Sequence, residues 1–374
     1  MMSEPTTYAA IDLGALGRNL TAIRQRTGRL VLLPVKANAY GHGLVEVAKA
    51  AIDHGWADWL AVATVCEGVA LREADVTAPI LKLSGALPDE TEQAVMSDLR
   101  LAITDREGLE SARAAAARTG LTARVHLTID TGMHRIGVLP GEAADMAELI
   151  DNQVGVVLDG VFTHLAVADV PTQNEFTQTQ LSRFLEAVDG ITRRLGRRPG
   201  IVHAANSAGV LSHPDSWWDM VRPGILSYGY YPDATTPKTI DVEPVLSLVT
   251  HLAHVQTVPA GETIGYGRTW APSVDTRIGT FPVGYGDGYD RRLSSQVDVL
   301  IRGRRYPQVG RVCMDQSMVD LGPGSDIGVG ERVTLLGADG DQRIDADEIG
   351  GILGTISYEV LSGLAHRIPR VYLP

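Results

Sequence analysis

Eight short apolar runs, each followed by a longer stretch of helical period, fill residues 29 to 225, and this rhythm constrains the fold more than any other feature of the chain. The runs are Leu30–Val35, Trp59–Thr64, Pro79–Ser84, Leu99–Thr104, Arg124–Ile129, Leu158–His164, Ile201–Ala205 and Met220–Arg222. Between them lie good helix formers, among them Leu44 to His54, Arg106 to Thr119 with its alanine-rich centre, and Phe176 to Leu195. Strict alternation of strand and helix favours a parallel sheet, because each helix carries the chain back to the same end. Eight units in roughly 200 residues predict an α/β fold, an N-terminal (β/α)8 TIM-like barrel, with functional residues at the carboxyl ends of its strands.

The pattern changes after Tyr231-Pro232 and Thr236-Pro237. From Pro244 the chain reads as strands of alternating polarity broken by glycines, for example Val245 to Val258, Val297 to Ile301 and Arg332 to Leu336. A C-terminal mostly-β domain is therefore expected, with the barrel at 12–238 and the β-rich part at 1–11 and 239–374. Thr6 to Leu13 reads as an extra strand ahead of the barrel that could pair with it.

A formal charge of −12 and no basic stripe argue against a nucleic-acid partner. No apolar run reaches the ~20 residues of a membrane span, and Met1-Met2-Ser3-Glu4-Pro5 lacks the basic and apolar segments of a leader. Cys66 and Cys313 are too few and too far apart for a disulfide framework or a zinc site, so a reducing cytoplasm and no metal are expected.

Polar residues collect where the barrel rule places function. The first strand ends in Lys36, and the fifth runs into Asp130-Thr131-Gly132-Met133-His134-Arg135. The sixth ends in His164, the seventh in Asn206-Ser207 and the eighth in Arg222-Pro223-Gly224. A lysine at the end of a buried strand can lose enough solvation to become a nucleophilic amine. Gly224 allows close backbone approach and Ser207 adds a hydroxyl, together resembling a phosphate cradle without a Walker loop. Pyridoxal 5'-phosphate meets these demands: an aldehyde for the amine, a phosphate for the cradle and a ring nitrogen that wants a charged partner.

Across almost its whole length the chain resembles the bacterial alanine racemases, a fold-type III pyridoxal phosphate family. The motifs that carry the likeness are Val35-Lys36-Ala37-Asn38-Ala39-Tyr40-Gly41-His42-Gly43, Ile129-Asp130-Thr131-Gly132-Met133-His134-Arg135-Ile136-Gly137, Ala205-Asn206-Ser207-Ala208 and Val221-Arg222-Pro223-Gly224-Ile225. Gly265-Tyr266-Gly267, Gly284-Tyr285-Gly286-Asp287-Gly288, Gly310-Arg311-Val312-Cys313-Met314-Asp315-Gln316 and Gly354-Thr355-Ile356-Ser357-Tyr358-Glu359 continue it in the second domain.

The resemblance implies racemisation of L- and D-alanine for peptidoglycan by two bases, Lys36 and Tyr266, in a homodimer whose Tyr266 and Met314 reach the neighbour's barrel. A free phenol titrates near ~10, and in this family His164, linked onward to Arg222, is the neighbour that eases ionisation. Arg222 matches the partner of the ring nitrogen, and Arg135 that of the phenolic oxygen. Tyr40, Ser207, Gly224, Ile225 and Tyr358 match the phosphate site, and Asn206 falls within the same cofactor-binding motif. The backbone of Met314 matches the substrate-carboxylate site, with Arg135, Tyr285 and Cys313 beside the substrate. Tyr285, Tyr358, Val167, Asp169, Arg291 and Arg311 correspond to an entrance corridor.

One departure concerns Thr128, where many members carry a lysine, often carbamylated, that steadies the equivalent of Arg135. A hydroxyl cannot supply that negative charge, so an anion, a water or a different hold on Arg135 is expected. Rival readings are a pyridoxal phosphate-binding homeostasis protein, which resembles the barrel alone, and a fold-type III decarboxylase, which places an acid where Arg222 stands. A serine or broad-specificity racemase is harder to separate, since an apolar pocket rejects one extra hydroxyl only weakly.

Overall fold

The structure, a computed structural model, describes residues 5–374. Residues 1–4, the start of the segment read as leaderless and of the expected β-rich part, lie outside the described residues. The chain divides into two compact units. One comprises 15–39 and 43–243; the other comprises the described residues up to Gly14, the short stretch 40–42, and 244–374.

In the first unit the eight expected strands all form. After β1 (Tyr8–Asp12) come β2 (Leu30–Pro34), β3 (Trp59–Val62), β4 (Ile80–Lys82), β5 (Leu99–Ile103), β6 (Ala123–Thr128), β7 (Val156–Phe162), β8 (Ile201–His203) and β9 (Met220–Val221). Strands β2 to β9 make one parallel sheet in the order β8-β7-β6-β5-β4-β3-β2-β9. Asp219 N donates to Val202 O at 3.0 Å and Arg222 N to Ala205 O at 2.9 Å, which joins the two ends into a ring. Each of these strands stops one or two residues before its apolar run does, so the polar ends lie in the loops that follow.

The unit is held by ordinary local chemistry. Leu32, Trp59, Ala61, Leu81 and Met220 pack into one buried cluster drawn from four strands. Outside it, some of the helices start on side-chain caps that satisfy otherwise orphaned N–H groups. Thr64 caps Val65–Glu73 and Asp105 caps Arg106–Thr119, while left-handed Gly120 and Gly196 end the helices before them.

The second unit is a ten-stranded sheet. Its further strands are β10 (Leu246–His251), β11 (His254–Val258), β12 (Thr276–Phe281), β13 (Asp298–Ile301), β14 (Arg304–Val309), β15 (Ser317–Gly322), β16 (Arg332–Asp339), β17 (Gln342–Ile344) and β18 (Arg370–Leu373). They run in the order β11-β12-β15-β14-β13-β16-β10-β1-β18, with β17 on β16. Strand β1 therefore corrects the expectation that it could pair with the barrel. It lies antiparallel to β10 and parallel to β18. The physical reason is that a closed ring leaves no free edge for another strand to join.

Candidate active site

Lys36 follows β2 directly, beyond the fully buried Val35. Burial, aided by the Arg135 charge, lowers the amine's pKa, while Glu67 pulls it the other way. Behind it the backbone turns left-handed: φ is 52° at Ala37, 54° at Asn38, 51° at Ala39 and 54° at Tyr40. None of these is glycine, and left-handed geometry costs an L-residue about 1–2 kcal/mol. The turn is held by Ala39 N to Val35 O at 2.7 Å, Gly43 N to Asn38 O at 2.9 Å, and Leu44 N to Asn38 Oδ1 at 2.9 Å.

Arg222 is the centre of a buried polar cluster. Its Nη1 donates to His203 Nδ1 at 2.9 Å, and its Nη2 to Thr163 O at 2.8 Å, Ala204 O at 3.0 Å and His164 Nδ1 at 3.4 Å. A guanidinium only donates, so Nδ1 of both histidines must accept and the proton of each sits on Nε2. His203 then donates to His126 Nδ1 at 2.9 Å, which leaves His126 Nε2–H without a partner. Burial lowers Arg222 to about 9, still a cation at neutral pH. Burial and then the Arg222 charge hold His164 at about 3; burial, Arg100 and Arg222 hold His126 there too, and His203 lies well below its ordinary value.

That cluster makes stability depend on pH with a definite sign. A histidine titrates near ~6.5 once unfolded, so between there and about 3 the unfolded chain binds protons that the folded chain refuses. Stability is present above the unfolded value and is lost as pH falls, by up to about 1.4 kcal/mol per pH unit for each such histidine. The urea midpoint should fall from about pH 7 to about pH 5, and less steeply in His126→Phe. Equal pH slopes in the two proteins would contradict this.

The remaining barrel residues surround the same mouth. Asn206 is fully engaged: Oδ1 caps its helix by accepting from Gly209 N at 3.0 Å, and Nδ2 donates to Leu165 O at 3.2 Å. Ser207 is buried, and its Oγ accepts from Leu226 N at 3.3 Å. Gly224 and Ile225 are buried at the start of the short turn Ile225–Tyr228, whose leading N–H groups find no acceptor within the turn. Asp130 shapes the loop to Arg135 by accepting from Gly132 N and His134 N, each at 3.0 Å. Arg135 is exposed, and no acidic side chain pairs with it among the described residues. Thr128 is buried, and its hydroxyl has no protein partner.

Tyr40, Tyr266, Tyr285, Cys313, Met314 and Tyr358 belong to the β-rich unit. Tyr40 lies 6.1 Å from Tyr358, ring centre to ring centre, and burial pushes its phenol well up. Two loops carrying Tyr285 and Met314 are zipped together by Tyr285 N to Cys313 O and Gly286 N to Met314 O, both 2.9 Å. A Cβ on Gly284 would sit 2.2 Å from Cys313 O, so this approach requires glycine. Arg367 then staples both loops, pairing with Asp287 at 2.7 Å and Asp315 at 2.8 Å. Burial pushes the Cys313 thiol up, and Sγ contacts Arg311 O at 3.4 Å, which fits a packed residue rather than a nucleophile. Tyr266 is 72% exposed, Met314 53% and Tyr285 42%.

Sequence reasoning missed His126 and His203. Both are fully buried and lie within the apolar runs Arg124–Ile129 and Ile201–Ala205, short of the polar ends where function was sought, although His203 is the last residue of β8 itself. A histidine within an otherwise apolar strand was the available signal.

Two family models together span the chain: "Alanine racemase, N-terminal domain" over residues 11–232 and "Alanine racemase, C-terminal domain" over 245–372. The alanine racemase of Cutibacterium acnes is 47% identical over 98% of both chains, and that of Symbiobacterium thermophilum is 44% identical over 98% of this chain and 97% of that one. Among solved structures, alanine racemase from Bacillus anthracis with bound L-Ala-P matches with a TM-score of 0.92 at 34% identity, covering 100% of this chain and 96% of that one. That of Clostridium difficile matches with a TM-score of 0.93 at 35% identity, over 99% and 96%.

Proposed function

The chain belongs to the alanine racemase family and is an alanine racemase; we propose that it acts with pyridoxal 5'-phosphate and two bases, Lys36 and Tyr266, in a homodimer. The observation that carries this reading is the Lys36 amine, kept short of its usual basicity by burial at the barrel end that also holds cationic Arg222. The chain's own residues fit the cofactor. Lys36 suits its aldehyde and Ser207 with the backbone of Gly224 and Ile225 suits its phosphate; Tyr40 and Tyr358, whose rings lie 6.1 Å apart, would supply its phenols. Asn206 supports the cradle by capping the helix that Ser207 opens.

When bound, the cofactor supplies a carbonyl for the amine and a conjugated ring that makes the α-proton of an amino acid acidic. Lys36 would take or return that proton on one face and Tyr266 on the other, so that the hand inverts. His164 accepts from Arg222 through Nδ1, so its Nε2–H is free to donate to the Tyr266 phenolate. With the cofactor bound, Arg222 would be the cationic partner of the ring nitrogen, which would discourage a second proton there and with it transamination. Arg135 serves the phenolic oxygen, and the Met314 backbone serves the substrate carboxylate, beside Tyr285 and Cys313.

The exposure of Tyr266, Met314 and Tyr285 on the single chain supports a partner copy that covers them. No helix among the described residues is long and apolar enough to cross a membrane, and no group of side chains there could hold a metal. Both cysteines are free, in keeping with action in the cytoplasm, where D-alanine would feed peptidoglycan.

Racemisation should be fastest with alanine when alanine, serine and lysine are compared, with only traces of pyruvate released. Arg222→Glu should raise the pyruvate yield. Faster turnover of serine, or unchanged pyruvate in the variant, would contradict the substrate or the role of Arg222 respectively.

A further inference from the structure

Glu67 lies in the first turn of Val65–Glu73, the helix after the second barrel strand. In a capping box the acid at this position reaches back to the cap's own N–H and is then satisfied. Glu67 does that with one oxygen, Oε2, which accepts from Thr64 N at 3.1 Å and from Ala63 N at 2.9 Å. Its other oxygen does something the cap does not need. Oε1 accepts from Ala37 N at 2.7 Å, thirty positions earlier in the chain.

Ala37 is the residue after Lys36 and the first of the left-handed run. Four successive non-glycine residues in that geometry are unfavourable at about 1–2 kcal/mol each, so contacts from outside the turn must hold them. A bond from N–H to an ionised carboxylate is stronger than one between neutral groups. Glu67 thus joins the neighbouring helix to the turn that aims Lys36. The same carboxylate is the acid that acts on the amine, opposing the effects of burial and of Arg135.

We propose that Glu67 is a positioning residue for Lys36, fixing through Ala37 the left-handed turn that follows it. The inference rests on the reading of Lys36 as the cofactor-bearing amine. It assigns the two halves of one side chain to different tasks: Oε2 holds the helix start and Oε1 holds the turn.

The test strips pyridoxal phosphate from the full-length protein, adds it back, and measures capture at Lys36 against pH, with borohydride trapping and mass mapping. Arg135 and Glu67 are the charged groups acting on Lys36, and His164 beside them stays neutral well below the working range. Glu67→Ala should slow capture about 100-fold, the loss expected when a reacting group is misplaced by about 1 Å. Its pH midpoint should also move down, because the charge favouring the ammonium form is gone. Glu67→Gln keeps one carbonyl oxygen, which can accept from Ala37 N–H only by giving up the bonds from Ala63 N and Thr64 N, so its rate should suffer less than that of the Ala variant while its midpoint moves equally. Glu67→Asp keeps the charge but is one methylene too short to serve both elements. Its rate should fall while its midpoint stays near that of the wild type.

If the Ala variant does not fold, the opposite responses of Gln and Asp decide. Wild-type rates and midpoints in Gln and Asp would overturn the inference alone. A wild-type protein with no trapped bond at Lys36 would overturn the reading of the site and this inference with it.

Discussion

Lys36→Ala is expected to lower alanine racemisation by on the order of 10⁵–10⁶-fold, the scale on which removal of a residue central to a catalytic unit acts. Substitution is hard here because the chain has only four lysines. Lys49 is on the helix Leu44–Asp53 and donates to Ala74 O, while Lys238 stands over the Tyr231 ring. Lys82 is the other lysine buried at a barrel strand end, but Ser84 O, Ser84 Oγ and Gly85 O take all three of its donors. The variant should bind pyridoxal phosphate without a borohydride-reducible bond. A trapped bond mapped to Lys82 or another lysine would contradict the assignment.

Tyr266→Phe should cost about 10²–10⁴-fold in racemisation, the range associated with loss of a positioned acid or base. Capture of the cofactor at Lys36 should be unchanged, since the variant leaves the barrel mouth intact. Stability should also be close to that of the wild type, because the side chain is 72% exposed on the isolated chain. The comparison separates the two bases: one variant loses cofactor attachment and turnover together, the other turnover alone. Activity within about threefold of the wild type would remove Tyr266 from the chemistry.

The barrel was legible because each strand is a short apolar run set off by a helix of different period, and all eight runs became strands. Their ends were less legible. His164 and Asn206 lie past the last residues of β7 and β8, and Arg222 follows β9 directly, still bonded through its N–H to Ala205 O. The place of β1 was missed because Tyr8–Asp12 alternates equally well for any sheet, and only closure of the ring assigns it elsewhere.

Within the site, the residues past the ends of the apolar runs were found and those within the runs were not. His126 and His203 support Arg222 from within those runs, where a histidine in an otherwise apolar stretch was the mark to be read. The turn after Lys36 was expected, but its left-handed geometry was hidden. Ala37, Asn38, Ala39 and Tyr40 do not advertise left-handed geometry, which glycine would have done, and the geometry exists because distant groups impose it. Thr64 and Glu67 have the spacing of a helix cap, yet the bond to Ala37 depends on the fold.

The central claim is that each working site combines Lys36 of one copy with Tyr266 of another. Homodimers of Lys36→Ala and of Tyr266→Phe should each be nearly inactive, since every site lacks a base. In a mixed dimer one site collects both defects and the other collects none. Co-refolding the two inactive variants should therefore restore racemisation, up to one working site per heterodimer. Isolated heterodimers that stay as inactive as their parents, while wild-type protein survives the same refolding, would contradict the shared site.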